Sequence, residues 1–311
     1  MKKILVTGGT GLVGSAIKTI SKNYDYDFLF ISSKECDLTN YNTTFEFFSK
    51  YKPDCVIHLA ACVGGLFKNM KNKVDMFEKN ILLNTNVLKV CHEIGVKKVV
   101  SCLSTCIFPD KTTYPIDETM LHNGAPHFSN DAYAYAKRML DVQSRAYREQ
   151  YNDNFICVIP TNIYGPYDNF NLQDSHVIPG LIHKCYLAKQ KCEPFVIAGT
   201  GTPLRQFIYS EDLAILVLWA LENYSEIEPI ILSVSESEEK SINFVATCIA
   251  KKFNYENNMV FDKEKPDGQF KKTANNSKLL ERIQNFAFTP IEEGIIKTVE
   301  WFETNYKFSR T

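Results

Sequence analysis

The sequence predicts an α/β fold with a doubly wound parallel sheet, and three observations predict it. Short β-branched or apolar runs alternate with longer helical patterns through the first 160 residues. The runs are apolar along their whole length, as strands covered on both faces are. A glycine-rich turn at residues 8–14 stands between the first run and the first helical pattern. Alternation of this kind builds βαβ units, whose strands lie parallel.

Residues 3–7 (KILVT) read as the first strand and 12–21 as the helix that follows. A second strand is expected over 26–32 and a helix over 42–50, with Thr43 and Thr44 near its start. Residues 55–59 (CVIHL) give a third strand, and 74–93 a long helix closed by Gly95. Strand 98–103, helix 132–150 and strand 155–159 complete the alternation. Past Pro160 the texture changes: residues 161–175 are rich in Asn, Asp, Gly, Pro and Tyr, the composition of a functional loop. A boundary is therefore expected near Ile163, separating a first domain of residues 1–163 from a second of 164–311. A helical stretch at 212–222 suggests that residues 206–224 return to the first domain.

A chain of 311 residues is long enough for a large domain and a smaller one. Its 45% hydrophobic and 23% charged residues are ordinary for a globular protein. A net charge of -1 provides no global field for nucleic acid or an anionic membrane, so neither is an expected partner. No apolar run reaches the length of a membrane span. The ten cysteines form no CxxC pair, and no metal is expected. Met1-Lys2-Lys3 runs straight into a short apolar segment, unlike a secretory leader, so free thiols in a cytoplasmic chain are the expectation.

The turn reads Thr7-Gly8-Gly9-Thr10-Gly11-Leu12-Val13-Gly14. Gly9, Gly11 and Gly14 fit GxGxxG, while Gly8, Gly11 and Gly14 fit GxxGxxG. Such a turn between strand and helix lets backbone N–H groups approach a dinucleotide pyrophosphate at the positive end of the helix. The fold expected is therefore Rossmann-type. NAD sites place a carboxylate after the second strand to hold the ribose 2′-OH. Here Ser32-Ser33-Lys34 occupies that point, two hydroxyls and a cation suited to a 2′-phosphate, so NADP(H) is expected. Glu35 follows at once, and a one-residue shift in alignment would weaken that reading. Asp37-Leu38 and the residues after His58, Leu59 and Ala60, fall where the adenine and ribose would lie at the sheet edge. His58 itself is given no proton-transfer role.

Tyr133 and Lys137 share a helix face at i, i+4. A neighbouring ammonium favours tyrosinate and is expected to lower the phenol pKa from near 10. Such a tyrosine donates a proton to a ketone oxygen while a nicotinamide delivers hydride. Ser104, in the hydroxyl-bearing loop after strand 98–103, would share that carbonyl with Tyr133. Tyr135 points elsewhere around the helix.

These residues together resemble the extended short-chain dehydrogenase/reductase family. The strings Val63-Gly-Gly65, Ser104-Thr-Cys-Ile-Phe-Pro109, Pro160-Thr-Asn-Ile-Tyr-Gly-Pro166, Asp168-Asn-Phe170, Ser175-His-Val-Ile-Pro179 and Lys265-Pro-Asp-Gly268 resemble its branch acting on GDP-4-keto-6-deoxy-D-mannose. The resemblance runs from residue 3 to about residue 305. It implies epimerisation at C3 and C5 followed by reduction of C4 with NADPH. It places Cys106 and His176 as the acid–base pair, beside Ser104, Tyr133 and Lys137. It adds Leu12, Val13, Lys137, Pro160, Asn162, Ile163 and His176 to the cofactor wall. Arg205 is implied as a phosphate contact, with Lys184 in place of an arginine, Lys272 as a weaker candidate, and Asp267 for a sugar or base hydroxyl. Ala198 stands where some relatives carry tryptophan, which leaves the guanine contact open. The family also implies a homodimer through helices 74–93 and 132–150, paired as a four-helix bundle.

Two rivals differ in chemistry. A 4,6-dehydratase would place carboxylates after the catalytic hydroxyl, where Thr105-Cys106 stands, and a 4-epimerase would consume no NADPH. A non-catalytic NADP-binding regulator would bind the cofactor without turnover, and such proteins often lose the Tyr–Lys pair.

Overall fold

The computed structural model describes every residue except Pro266, Gly268 and Gln269, and all side chains but those of these three and of Leu66 and Phe67. Pro266 and Gly268 of the Lys265-Pro-Asp-Gly268 string therefore lie outside the described residues. The chain divides into two compact units: Met1–Thr112, Asp117–Pro160 and Leu213–Leu232 form the first, and Thr113–Ile116, Thr161–Asp212 and Ser233–Thr311 the second.

In the first unit, β1 (Lys2–Thr7), α1 (Leu12–Ile20), β2 (Tyr26–Ile31), α2 (Tyr41–Tyr51) and β3 (Cys55–His58) alternate as the apolar runs require. They are followed by α3 (Leu66–Lys71), α4 (Lys73–Glu93), β4 (Lys98–Cys102), α5 (Asp131–Tyr151) and β5 (Phe155–Pro160). Asn40 caps α2, its side chain accepting from the Thr43 backbone N–H. Lys52 and Asn152, at the C-caps of α2 and α5, both take the left-handed conformation that ends a helix.

In chain order the remaining elements are β6 (Asn162–Tyr164), α6 (Val177–Lys191), β7 (Phe195–Ala198), β8 (Leu204–Arg205), β9 (Phe207–Tyr209), α7 (Ser210–Asn223) and β10 (Ile230–Leu232). After them come β11 (Lys240–Ser241), α8 (Ile242–Lys252), β12 (Met259–Asp262), α9 (Ser277–Arg282) and α10 (Ile291–Asn305).

The first unit carries a six-stranded parallel sheet in the order β10-β5-β4-β3-β1-β2. The chain leaves β1 for β2 on one side and crosses to β3 on the other, so the carboxyl end of β1 is a topological switch point, where ligands bind in open α/β sheets. Strands β3, β4 and β5 are buried at every residue and β1 from Ile4 onward, as strands covered on both faces must be. Edge strand β10 was not among the expected strands. It is three apolar residues long, too short for periodicity to separate from the end of a helix.

Among the described residues the second unit has no continuous sheet. Its strands pair in twos, β6 with β9, β7 with β12 and β8 with β11. Helices α6, α8 and α10 contribute to a core containing Phe170, Phe195, Phe253 and Phe302. Gln206, 1% exposed, organises this unit. Its Nε2 donates to Val234 O at 2.8 Å and Ala274 O at 3.0 Å, and its Oε1 accepts from Ala274 N at 2.7 Å. Among the described residues no helix is long and apolar enough to cross a membrane.

His58 ends β3 with no exposed surface. Its Nδ1 lies 2.8 Å from Thr7 Oγ1 and its Nε2 3.0 Å from Asn84 Oδ1. Burial first, then the Lys137 ammonium, lowers its pKa to about 3. The imidazole is therefore a neutral structural peg between β1, β3 and α4. The unfolded chain takes up a proton near pH 6.5 that the fold refuses, so this stabilisation is present above that pH and is lost as pH falls towards 3. We expect the unfolding free energy to drop by about 2 kcal/mol between pH 6.5 and 5 through this group. Urea titrations at the two pH values should show a smaller drop in His58→Gln.

Candidate active site

The turn after β1 is shaped by lack of room. Gly8 has φ +67, and a Cβ there would stand 2.8 Å from Ala60 N. A Cβ at Gly14 would stand 2.5 Å from Gly8 O and 2.6 Å from Gly9 Cα. Only glycine lets the turn lie against the end of β3 and against α1 at once. Gly11 is the N-cap of α1 and offers no capping side chain, so the first N–H groups of the helix remain for an anion. Leu12 and Val13 follow as its first turn. On the β3 side, Leu59 N donates to Thr7 O at 3.3 Å and Ala60 N to Thr7 Oγ1 at 3.2 Å.

The segment after β2 separates two neighbouring charges. Glu35 accepts from the Ser32 backbone N–H at 2.7 Å and from Ser32 Oγ at 2.5 Å, and these bonds hold its carboxyl below the usual range. Ser33 and Lys34 remain exposed. The carboxylate that could have greeted a ribose 2′-OH is thus folded back, and a hydroxyl and an ammonium are presented instead. Asp37 accepts from Thr39 N and Thr39 Oγ1, and Leu38 is buried, its carbonyl accepting from Asn86 Nδ2. The glycine cradle, the uncapped helix and the cationic rim fit NADP(H).

At the carboxyl end of β4 the predicted reducing residues come together. Lys137 is 2% exposed, and its Nζ donates to Cys102 O at 2.8 Å. Burial lowers the pKa of this ammonium. One turn back on α5, Tyr133 is half-buried and its hydroxyl has no hydrogen-bond partner among the described residues. Ser104 Oγ accepts from Cys106 N at 3.4 Å, setting a short 3₁₀ turn, Thr105–Ile107, that carries the half-buried Cys106 thiol. Tyr135 lies on another face, 39% exposed, with the Arg138 guanidinium over its ring at 5.5 Å.

One expectation is corrected here. Lys137 was expected to lower the Tyr133 pKa, yet burial pushes that phenol well above its ordinary value, with the Cys106, Cys102 and Cys62 thiols adding to the rise. Desolvation of the anion outweighs the ammonium, whose Nζ hydrogen bond goes to the Cys102 carbonyl. Tyr133 is therefore a protonated donor at neutral pH.

The second unit holds the other expected residues. His176 is the N-cap of α6 and gives no side-chain cap. Its surface is exposed, but the protein packed around it lowers its pKa, so the ring favours the neutral form, as a helix N-terminus also dictates. Asn162 is exposed, and its Nδ2 donates to Gln206 O at 2.8 Å. Ile163 follows it on β6, while Pro160, in the first unit, closes β5. Lys184 is exposed on α6, and Lys272 is half-buried. Arg205 Nη1 donates to Leu204 O at 2.6 Å and Phe270 O at 3.3 Å, and burial lowers its pKa. Asp267 accepts from Thr200 N at 2.6 Å and Thr200 Oγ1 at 2.8 Å, so its carboxylate braces the loop around Gly199. Ala198 is exposed at the end of β7. All ten cysteines are free. The sequence reading passed over Arg138, whose only signal was its place beside Lys137.

Comparison with known proteins sharpens these observations. The model of the NAD dependent epimerase/dehydratase family matches residues 4–234. The chain is 55% identical over 312 residues to the GDP-L-fucose synthase of Dictyostelium discoideum, covering 99% of this chain and 98% of that one. It is 52% identical to a probable GDP-L-fucose synthase of Drosophila melanogaster, with both chains covered completely. The crystal structure of a GDP-L-fucose synthetase from Naegleria fowleri bound to NADP superposes with a TM-score of 0.96 at 52% identity, covering 100% of this chain and 95% of that one.

Removal of the cationic rim should read out directly in cofactor choice. Lys34→Ala is expected to weaken NADPH binding about tenfold, a loss of one charge-assisted contact, and to leave NADH nearly unchanged. Fluorescence titration with both nucleotides measures the ratio, and an equal loss for the two would overturn the assignment.

Proposed function

The chain belongs to the GDP-L-fucose synthases of the NAD dependent epimerase/dehydratase family, and from that premise we propose how its residues divide the reaction. The enzyme epimerises GDP-4-keto-6-deoxy-D-mannose at C3 and C5 and reduces C4 with NADPH to give GDP-L-fucose. The grouping of Ser104, Cys106, Tyr133 and Lys137 at the end of β4 carries the residue assignment.

A C4 ketone acidifies the protons on both neighbouring carbons, because the enolate spreads charge onto oxygen. Ser104 and the protonated Tyr133 donate to that oxygen and hold it as the charge develops. Cys106 and His176 exchange protons with C3 and C5 from opposite faces of the sugar, a thiol and an imidazole both being groups able to accept and return a proton. NADPH supplies hydride to C4 when bound. Tyr133 then gives its proton to the C4 oxygen, and Lys137 holds the nicotinamide ribose. Gly8, Gly11, Gly14, Ser33 and Lys34 hold the phosphates. Arg205, with Lys184 and Lys272, supplies positive charge for the diphosphate of the substrate, while Asp267 keeps the adjoining loop in place.

A cytoplasmic location fits ten free thiols. A homodimer through α4 and α5, joined as a four-helix bundle, completes the reading. It is supported by apolar side chains left exposed on those helices, Val74, Phe77 and Leu82 on α4 and Met139 and Val142 on α5.

Incubation with NADPH and GDP-4-keto-6-deoxymannose should consume nicotinamide absorbance and yield the fucose sugar. Tyr133→Phe is expected to slow reduction about 10²–10⁴-fold. Cys106→Ser should chiefly slow epimerisation, read as deuterium uptake from solvent at C3 and C5. Equal and complete loss of both steps in Cys106→Ser would argue against this division. For the assembly, Leu82→Glu should convert the sedimenting species from dimer to monomer, and an unaltered dimer would place the interface elsewhere.

A further inference from the structure

Arg138 is 5% exposed on α5, immediately after the buried Lys137. Among the described residues its only hydrogen bond is from Nε to Ile107 O at 2.5 Å, on the residue following Cys106, and its buried Nη2 has no partner. Among the described residues no carboxylate forms an ion pair with it. Burying a guanidinium without a counter-ion is strongly unfavourable. Tying a helix to a turn needs only a neutral donor, so the hydrogen bond to Ile107 leaves the charge unexplained.

The groups that bear on that charge are the ring of Tyr135, on the same helix, and the Cys106 thiol, on the turn that Arg138 holds. Cys106 is faced in return by Tyr133, Lys137 and Arg138 from α5. Tyr133 is protonated, and Lys137 directs its Nζ hydrogen bond to the Cys102 carbonyl. We propose that Arg138 is a positioning residue for Cys106, fixing the turn that presents the thiol and favouring its thiolate form. A cation beside a thiol stabilises the anion, and a thiolate is the form of cysteine that accepts a proton from carbon. Arg138 thereby sets the leg of the epimerisation in which Cys106 acts as base. The inference rests on the reading that Cys106 exchanges protons with the sugar.

The test follows alkylation of Cys106 by iodoacetamide across pH in the NADP-loaded enzyme, quantified on its own peptide by mass spectrometry. In the unsubstituted enzyme the midpoint is expected below that of a free cysteine, about 8.5. Arg138→Gln keeps a donor for Ile107 O and loses the charge. It should raise the midpoint, lower the alkylation rate at pH 7 about tenfold, and slow deuterium uptake at C3 and C5 without changing NADPH binding. Arg138→Lys keeps the charge and should restore the midpoint. Equal shifts in the glutamine and lysine variants would overturn the proposal. So would a midpoint at or above the free-cysteine value in the unsubstituted enzyme, a measurement that depends on no variant folding. Should Cys106→Ser epimerise normally, the role given to Cys106 fails, while the alkylation profile still decides what Arg138 does to the thiol.

Discussion

The hydrogen bond from Lys137 Nζ to the Cys102 carbonyl is the constraint on which the first unit's chemistry depends. It fastens α5 to the last residue of β4, the point where the chain leaves the sheet. One turn of helix away stands Tyr133, and two residues beyond the strand stands Ser104. This buried ammonium, with the Arg138 bond to Ile107, therefore holds the spacing between a phenol and a hydroxyl that come from distant parts of the sequence. Its charge is also felt at the end of β3, where it helps keep the His58 imidazole neutral.

Burial, more than pairing, sets the protonation states around that anchor. The phenol of Tyr133 is held protonated, Lys137 is drawn below its ordinary pKa, and the Cys102 thiol is pushed up. Each shift favours the neutral form, as a desolvated surround must. An oxyanion forming in such a surround finds donors already fixed and little water to compete with them, which is where preorganised hydrogen bonds act most strongly.

Much of this was legible in the sequence because it is local or periodic. The strands through β5 and the long helices α4 and α5 follow from apolar runs and i, i+4 spacing, and the glycine turn follows from its place between β1 and α1. The phenol's raised pKa was not legible, since helix spacing shows that Lys137 is near Tyr133 but not what else surrounds the ring. Glu35 illustrates the same limit. Its position beside Lys34 left the cofactor reading exposed to a one-residue shift, and only its bonds to Ser32 show that the carboxylate is occupied. Strand β10, three residues long, and the buried Arg138 carry no periodic signature at all. Both are defined by partners far away in the chain.

The hydrogen bonds of Gln206 bear on the order in which the second unit can assemble. Its amide closes on Val234 and Ala274, 28 and 68 residues further along the chain. At ribosomal rates of ~5–20 residues per second, the later partner emerges roughly 3–14 seconds after the glutamine. Until Val234 emerges the amide has only water to bind, and until Ala274 follows the segment around β8 and β9 lacks the full set of contacts that centre it. Five of the six strands of the parallel sheet are meanwhile already synthesised by Pro160. The nascent chain thus carries a nearly complete sheet well before the second unit acquires the residues it needs to close.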